Sequence, residues 1–249
     1  MMISAAPLES AFVGRLSRLA GGLVVGNADG NAVRCDHLIL PNAIANRLQR
    51  LTLALPDASR QSLVVLWVRL HVARLLAAVM VPALILDRWI PVGLDQCRAI
   101  FSVETGYPQA IQVMDTAAEF TTDDPFERFA SLVWQHLAPF IAALALHGRT
   151  SPKLLWSNAG FELYSLVRRT VQEAESLDLP VHCDAQALFR QRLWPDGRRN
   201  PLFEPWHPEP AADGGPRRRK ACCLYYKLKP DNKLCGNCPI GIKQEKVQA

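Results

Sequence analysis

The chain has 249 residues, 49% of them hydrophobic and 20% charged, with a formal net charge of +5. That length can bury a substantial core, and the composition is that of an ordinary globular protein rather than a disordered one. The charge is uneven: residues 216–249 hold nine Lys or Arg against Asp231 and Glu245, a net of +7, which leaves −2 for residues 1–215. The body is nearly neutral and the tail is basic.

Taken in order, residues 1–40 read as a mixed opening segment. Leu16 to Val25 is mostly apolar, and Asp29-Gly30 is a turn signal that would join two short strands. From Pro41 to Leu55 the pattern turns helical, with Ile44, Leu48, Leu51 and Leu55 on one face and Pro56-Asp57 ending it. Ser59 to Leu86 is the longest helical candidate and is apolar on nearly every side, as expected of a helix covered by neighbours. Pro82 should kink or end it. A membrane span is not the expected reading, because Arg69, His71 and Arg74 interrupt the stretch. Its longest uncharged run, Leu75 to Leu86, is twelve residues, well short of the roughly 20 that a spanning helix needs. These three polar residues do not share a helical face, which argues against one anion site built from all of them.

Pro91 to Met114 breaks the helical period. Ala99–Val103 and Ala110–Met114 flank Thr105-Gly106-Tyr107-Pro108, a predicted β-hairpin. A second helical block starts at Asp124-Pro125-Phe126-Glu127, where Asp124 can cap, Pro125 suits the first helical position and Glu127 can complete a capping box. Its apolar stripe runs through Phe126, Phe129, Ala130, Val133, Leu137, Phe140, Ile141 and Leu144, flanked by His136 and His147, both read as core or solvated histidines. Ser151-Pro152 opens a further helix to about Leu177, and a short one over Ala185–Leu193 follows. From Trp194 to Pro216, prolines and glycines mark an irregular connector. The organisation expected is a body over 1–193, a connector over 194–216 and a cysteine-rich module over 217–249. The fold class expected is mainly α (α+β), a helical body with a minor β-hairpin.

The N-terminus shows no basic region followed by an apolar block and a small-residue cleavage site, so a cytoplasmic protein is expected. Thiols stay reduced in that compartment, so clustered cysteines favour a metal or redox site over disulfides. Cys35, Cys97 and Cys183 are scattered and read as inert buried residues. Cys222, Cys223, Cys235 and Cys238 lie within seventeen residues, among Arg217, Arg218, Arg219, Lys220, Tyr225 and Tyr226. Thiolates select zinc or iron–sulfur clusters. A Cys-x-x-Cys turn can bring two sulfurs to one metal, but zinc sites normally use two separated pairs. Neighbouring side chains in an extended chain diverge, so Cys222-Cys223 suits a single tetrahedral ion poorly. A two-iron cluster is the wider target. Spacing alone leaves iron–sulfur ahead of structural zinc, with dithiol redox chemistry last, since Cys235–Cys238 lacks a βαβ context.

The tail Arg-Arg-Arg-Lys-Ala-Cys-Cys-Leu-Tyr-Tyr ending in Cys-Gly-Asn-Cys-Pro resembles the C-terminal domain of the FhuF-type ferric-siderophore iron reductases. Asn200-Pro201-Leu202-Phe203, Leu155-Trp156-Ser157-Asn158, the total length and the helical body are similar as well. The gap between Cys223 and Cys235 is eleven residues, one longer than the family pattern, so the geometry and potential of a cluster stay open. The resemblance implies one 2Fe–2S cluster bound by Cys222, Cys223, Cys235 and Cys238, and reduction of ferric siderophores, hydroxamate type foremost. It implies a cytoplasmic protein, compatible with peripheral association with the inner membrane.

No Gly-x-Gly-x-x-Gly, Gly-x-Ser-x-Gly or His-Glu-x-x-His is present, so electrons are expected from another protein such as a ferredoxin. The basic tail is read as attracting an anionic donor or chelate. Two alternatives stand beside this: a siderophore-binding or regulatory iron–sulfur protein without turnover, and a zinc-stabilised basic tail binding nucleic acid. Against the last, no recognition helix follows the cysteines. The substrate pocket should lie between body and cluster; Tyr107, the Trp156–Asn158 turn, Arg198 and Arg199 are candidates, each with a plainer structural role.

Overall fold

A computed structural model describes residues 7–26, 31–113, 118–207, 217–228, 231 and 233–240. Two short strands, β1 (Leu23–Val25) and β2 (Ala32–Arg34), precede helices α1 (Pro41–Ala54) and α2 (Arg60–Ile85). Then come β3 (Arg88–Trp89), the hairpin strands β4 (Cys97–Phe101) and β5 (Pro108–Val113), and β6 (Ala118–Glu119). The helical second half holds α3 (Pro125–Arg128), a π-helical stretch (Ser131–Leu137), α4 (Ala138–Gly148) and α5 (Pro152–Ser176). The fold is mainly α with a small mixed sheet, as the periodicity indicates.

The middle of the molecule is α2. Ser59 caps it by accepting the Ser62 N–H at 3.2 Å. Its buried residues lie on every side, from Leu63, Trp67 and Val72 to Met80 and Leu84, because α5, α4, α1 and β5 all pack against it. Pro82 does not stop the helix, which continues to Ile85. By length and composition, Arg60–Ile85 and Pro125–Gly148 are apolar enough to cross a bilayer. In the first, however, 78% of the apolar window is buried inside the protein, the behaviour of a core helix.

The predicted hairpin forms, with Ala99 opposite Ile111 and Ile100 opposite Ala110. It is the centre of a four-stranded sheet of order β1-β5-β4-β2. The two early strands exist but do not pair with each other. β1 runs parallel to β5 and β2 antiparallel to β4, so they occupy opposite edges. Joining the hairpin makes a four-stranded sheet where an isolated two-stranded ribbon would be marginal, and β1, beside β5, packs on α2. The turn at Asp29-Gly30 lies outside the described residues.

Asp124 caps the second helical block, accepting the Phe126 N–H at 2.9 Å. The block is not one regular helix: it passes from α to π to α. The predicted helix at Ala185–Leu193 is a shorter 3-10 turn, Ala185–Phe189. Connector residues Leu202 and Pro205 lie against α5 at Gly160, where an added Cβ would stand 3.1 Å from the Pro205 Cβ. Trp206 continues the contact, its ring tilted against Tyr164 of α5 at a centroid distance of 4.5 Å and edge-on to Phe189 at 6.2 Å.

Candidate metal centre

The tail returns to the body through one backbone bridge, Trp206 to Arg219, flanked by His207 N–H to Arg218 O at 2.7 Å and Lys220 N–H to Pro205 O at 3.1 Å. From there the chain turns through Cys222 and Cys223. Leu224 takes a left-handed φ of 55°, a conformation that costs a non-glycine residue roughly 1–2 kcal/mol. The turn delivers the Leu224 N–H to the Cys222 Sγ at 3.3 Å, an orienting bond that only this kink supplies. A 3-10 turn, Tyr225–Leu228, then lies against α2, with Tyr225 beneath the Arg69 guanidinium at 4.9 Å.

The four cysteines come together. Cys222 Sγ lies 3.9 Å from Cys238 Sγ, and Cys223 Sγ lies 3.8 Å from Cys235 Sγ. Each of the adjacent cysteines thus meets one member of the Cys-x-x-Cys turn, in which the Cys238 N–H bonds to the Cys235 carbonyl at 2.9 Å, while their own thiols stay in contact. For a metal–sulfur bond of about 2.3 Å, two thiolates on one tetrahedral metal stand about 3.8 Å apart. Both pairs match that edge, so this donor set fits a thiolate-bound metal centre. Cys223 and Cys238 are buried, whereas Cys222 and Cys235 reach partial exposure. The Cys222 thiol and the Arg219 and Arg69 charges hold the Cys223 thiol below its ordinary range. Cys222 is pushed up by its bond to Cys223, and Cys235 chiefly by burial.

What holds this cage to the body is Arg219, which is 5% exposed. Its guanidinium bonds to Glu162 Oε1 at 2.7 Å, Asn158 Oδ1 at 3.4 Å and Asn237 Oδ1 at 3.4 Å, and lies 4.4 Å from the Phe161 ring centroid. Its backbone N–H bonds to the Asn237 carbonyl inside the Cys-x-x-Cys turn at 3.0 Å. One side chain therefore joins the double cysteine, the second cysteine pair and α5. Glu162 also receives Arg69 at 3.2 Å, so two guanidiniums share one carboxylate beside the thiols. Arg69 turns to this site while His71, two residues on, is buried in the core, as their different helical faces require.

Asn158 reaches the centre through Arg219, and Glu162, one turn further along α5, is the residue sequence reasoning missed. Its signal was the i, i+4 spacing from Asn158, which puts both on one face. Arg219 itself is a structural clamp, whereas the sequence suggested a surface charge. Of the substrate candidates, Arg198 is engaged by Asp196 and lies over Trp134 at 3.9 Å, and Tyr107 belongs to the β4–β5 turn. Open depressions of about 530 Å³ (Arg60, Leu146, His147, Arg149) and about 170 Å³ (between Arg15 and Arg169) share no lining residue with the cysteine cage.

Residues 65–215 match the family described as ferric iron reductase FhuF-like transporter, and residues 219–239 match the FhuF 2Fe-2S C-terminal domain. The chain belongs to the FhuF family. A relative, the ferric siderophore reductase of Escherichia coli (strain K12), is 30% identical over 182 residues, 72% of this chain. The chain spans 65% of that relative's length. The FhuF 2Fe-2S domain covers all four caged cysteines and begins at Arg219, the residue that anchors the cage. The cofactor this domain implies is a 2Fe–2S cluster, which the thiol set fits by number, spacing and softness.

Proposed function

We propose that Cys222, Cys223, Cys235 and Cys238 bind one 2Fe–2S cluster, and that the protein is a cytoplasmic reductase of ferric siderophores. The observation that carries the reading is the nested pairing of the four thiols, two for each metal of a two-iron centre, in a tail clamped to the body by Arg219. The relative's name supports the substrate class. In this reading 1–193 is the body, 194–216 the connector and 217–249 the cluster module.

When bound, the cluster supplies one electron at low potential, and four-cysteine two-iron centres reach about −400 mV. Hydroxamate and catecholate oxygens are hard ligands that hold ferric iron far more tightly than ferrous iron. Adding one electron to the chelated Fe(III) therefore loosens the metal and leaves the chelator intact. Arg219 and Arg69 pull the cluster potential upward, and trapping of released Fe(II) supplies the remaining drive. Arg217 and Lys220 are exposed and draw an anionic chelate of the hydroxamate type, or an acidic electron donor such as a ferredoxin, toward the partly exposed Cys222–Cys235 side. Peripheral association with the inner membrane would place the protein where imported chelate arrives.

Anaerobically purified protein should show the visible absorption of a two-iron cluster, with about two irons per chain. A colourless protein holding zinc would overturn the reading. Mixed in the reduced state with a ferric hydroxamate and a ferrous trap, it should reoxidise as the trap complex forms. Binding without reoxidation would leave the non-turnover alternative standing.

A further inference from the structure

We propose a second metal site, inside the helical body and separate from the tail: Cys35, His71 and His136 bind one thiophilic cation, Zn²⁺ or Cu⁺. The donors come from three distant parts of the chain. Cys35 opens the 3-10 helix Cys35–Ile39, His71 is in the middle of α2, and His136 is in the π-helical stretch. All three are fully buried, and their ligand atoms lie within 4.8 Å of one another. A thiol and two imidazoles are the donor types that copper and zinc select.

The hydrogen bonds define how the histidines stand without a cation. His136 Nδ1 is 2.6 Å from the Val92 carbonyl, so Nδ1 carries the proton and Nε2 carries the lone pair. His71 Nε2, 2.9 Å away, must then donate to it. That leaves His71 Nδ1 as a buried acceptor with no partner among the described residues. A histidine whose outer nitrogen bonds a backbone carbonyl while the other faces inward is the usual pose of a metal ligand. His71 is held in place by stacking on Phe140 at 4.3 Å. His136 is carried by a π-helical stretch between two α-helical ones, a rare geometry that is frequent at functional sites.

A cation entering between the two Nε2 atoms and the Cys35 sulfur replaces the inter-imidazole hydrogen bond. The His71 proton moves to Nδ1, the Cys35 thiol proton leaves to solvent, and the nitrogens separate from 2.9 Å to about 3.3 Å, the edge for metal–nitrogen bonds near 2.0–2.1 Å. His71 Nδ1 stays unpaired, as a donor instead of an acceptor, so no further polar group is stranded. One thiolate and two neutral imidazoles make a neutral complex with Cu⁺. Zn²⁺ leaves one positive charge, beside the thiol of Cys97, which lies 3.7 Å from His136 Nδ1.

The test uses the full-length chain with Cys222, Cys223, Cys235 and Cys238 all replaced by Ser, which removes the tail's own metal binding. After exposure to Zn²⁺ or, under reducing conditions, Cu⁺, then removal of loose metal with a weak chelator, one equivalent of one cation should remain. Its X-ray absorption should report one sulfur and two imidazole nitrogens, a readout that needs no core substitution. Adding His136→Gln or Cys35→Ser should cut retention at least tenfold. Failure to retain either cation, a ligand shell without imidazole, or retention unaffected by both substitutions would each overturn the site. Loss of the tail cluster leaves these readouts unchanged, so this inference and the tail assignment fail separately.

Discussion

Arg217 and Arg219 carry the same charge two positions apart, yet burial gives them different work. Arg219 is enclosed by Glu162, Asn158 and Asn237, whereas Arg217 is exposed and lies over Trp206 at 5.1 Å. Replacing Arg219 with Ala strands the Asn158 and Asn237 acceptors, although Arg69 still partners Glu162. We expect a loss of about 2–4 kcal/mol in urea unfolding and faster loss of iron from the tail. Lys should not rescue it, because one ammonium cannot reach the three acceptors that the planar guanidinium spans. Arg217→Ala should cost less than about 1 kcal/mol and show itself instead as a weaker salt dependence of the reduction rate. Equal effects of the two substitutions would contradict the clamp. At the thiols, Ser at any one of the four positions should abolish stoichiometric iron; retention in any single variant would remove that residue from the ligand set. The cysteines were legible because residue type and spacing declare them. Arg219 was not, since a charged residue's burial depends on acceptors supplied by α5, sixty residues earlier.

Two glycines show how tightly the elements fit. Gly148 ends α4 against α2, and a Cβ there would lie 2.7 Å from the Val64 Cγ2, a short, stiff side chain with nowhere to move. Gly148→Ala should therefore cost about 1–3 kcal/mol by thermal or urea unfolding, despite alanine's better helix propensity. Combining it with Val64→Ala should cost less than the two changes summed, and strict additivity would rule the contact out. The helices themselves were readable from their 3.6-residue apolar period, and the hairpin from its alternation. The pairing of β1 with β5 rather than β2 was not, because both strands are three residues long and β1 follows β5 onto the surface of α2. Nor did the apolar stripe reveal the π geometry over Ser131–Leu137, where Leu132 and His136 are buried beside Val133 and Leu137.

Over the whole molecule, the contiguous core is built from residues between Leu8 and Leu202 and includes none of the four tail cysteines. The quadruple Ser variant should then keep the helical circular dichroism of the parent, with the chief loss confined to the docked tail. Collapse of the helical signal would mean that the cluster is a folding staple rather than an electron carrier docked on a finished body. The packing of Pro205 and Trp206 on α5 also means that the proline-rich connector begins as part of the body surface.

Local chemistry was enough to identify the helices and the hairpin, and to pick out four clustered cysteines in a tail that resembles the family's 2Fe–2S domain, because periodicity, capping and residue spacing are properties of short stretches. Tertiary structure alone decided which member of the Cys-x-x-Cys turn each adjacent cysteine meets, and that a basic residue becomes the buried clamp. It alone brought Cys35, His71 and His136 to one point. Each outcome depends on which distant groups meet once the apolar surface is buried, and sequence spacing carries no record of that.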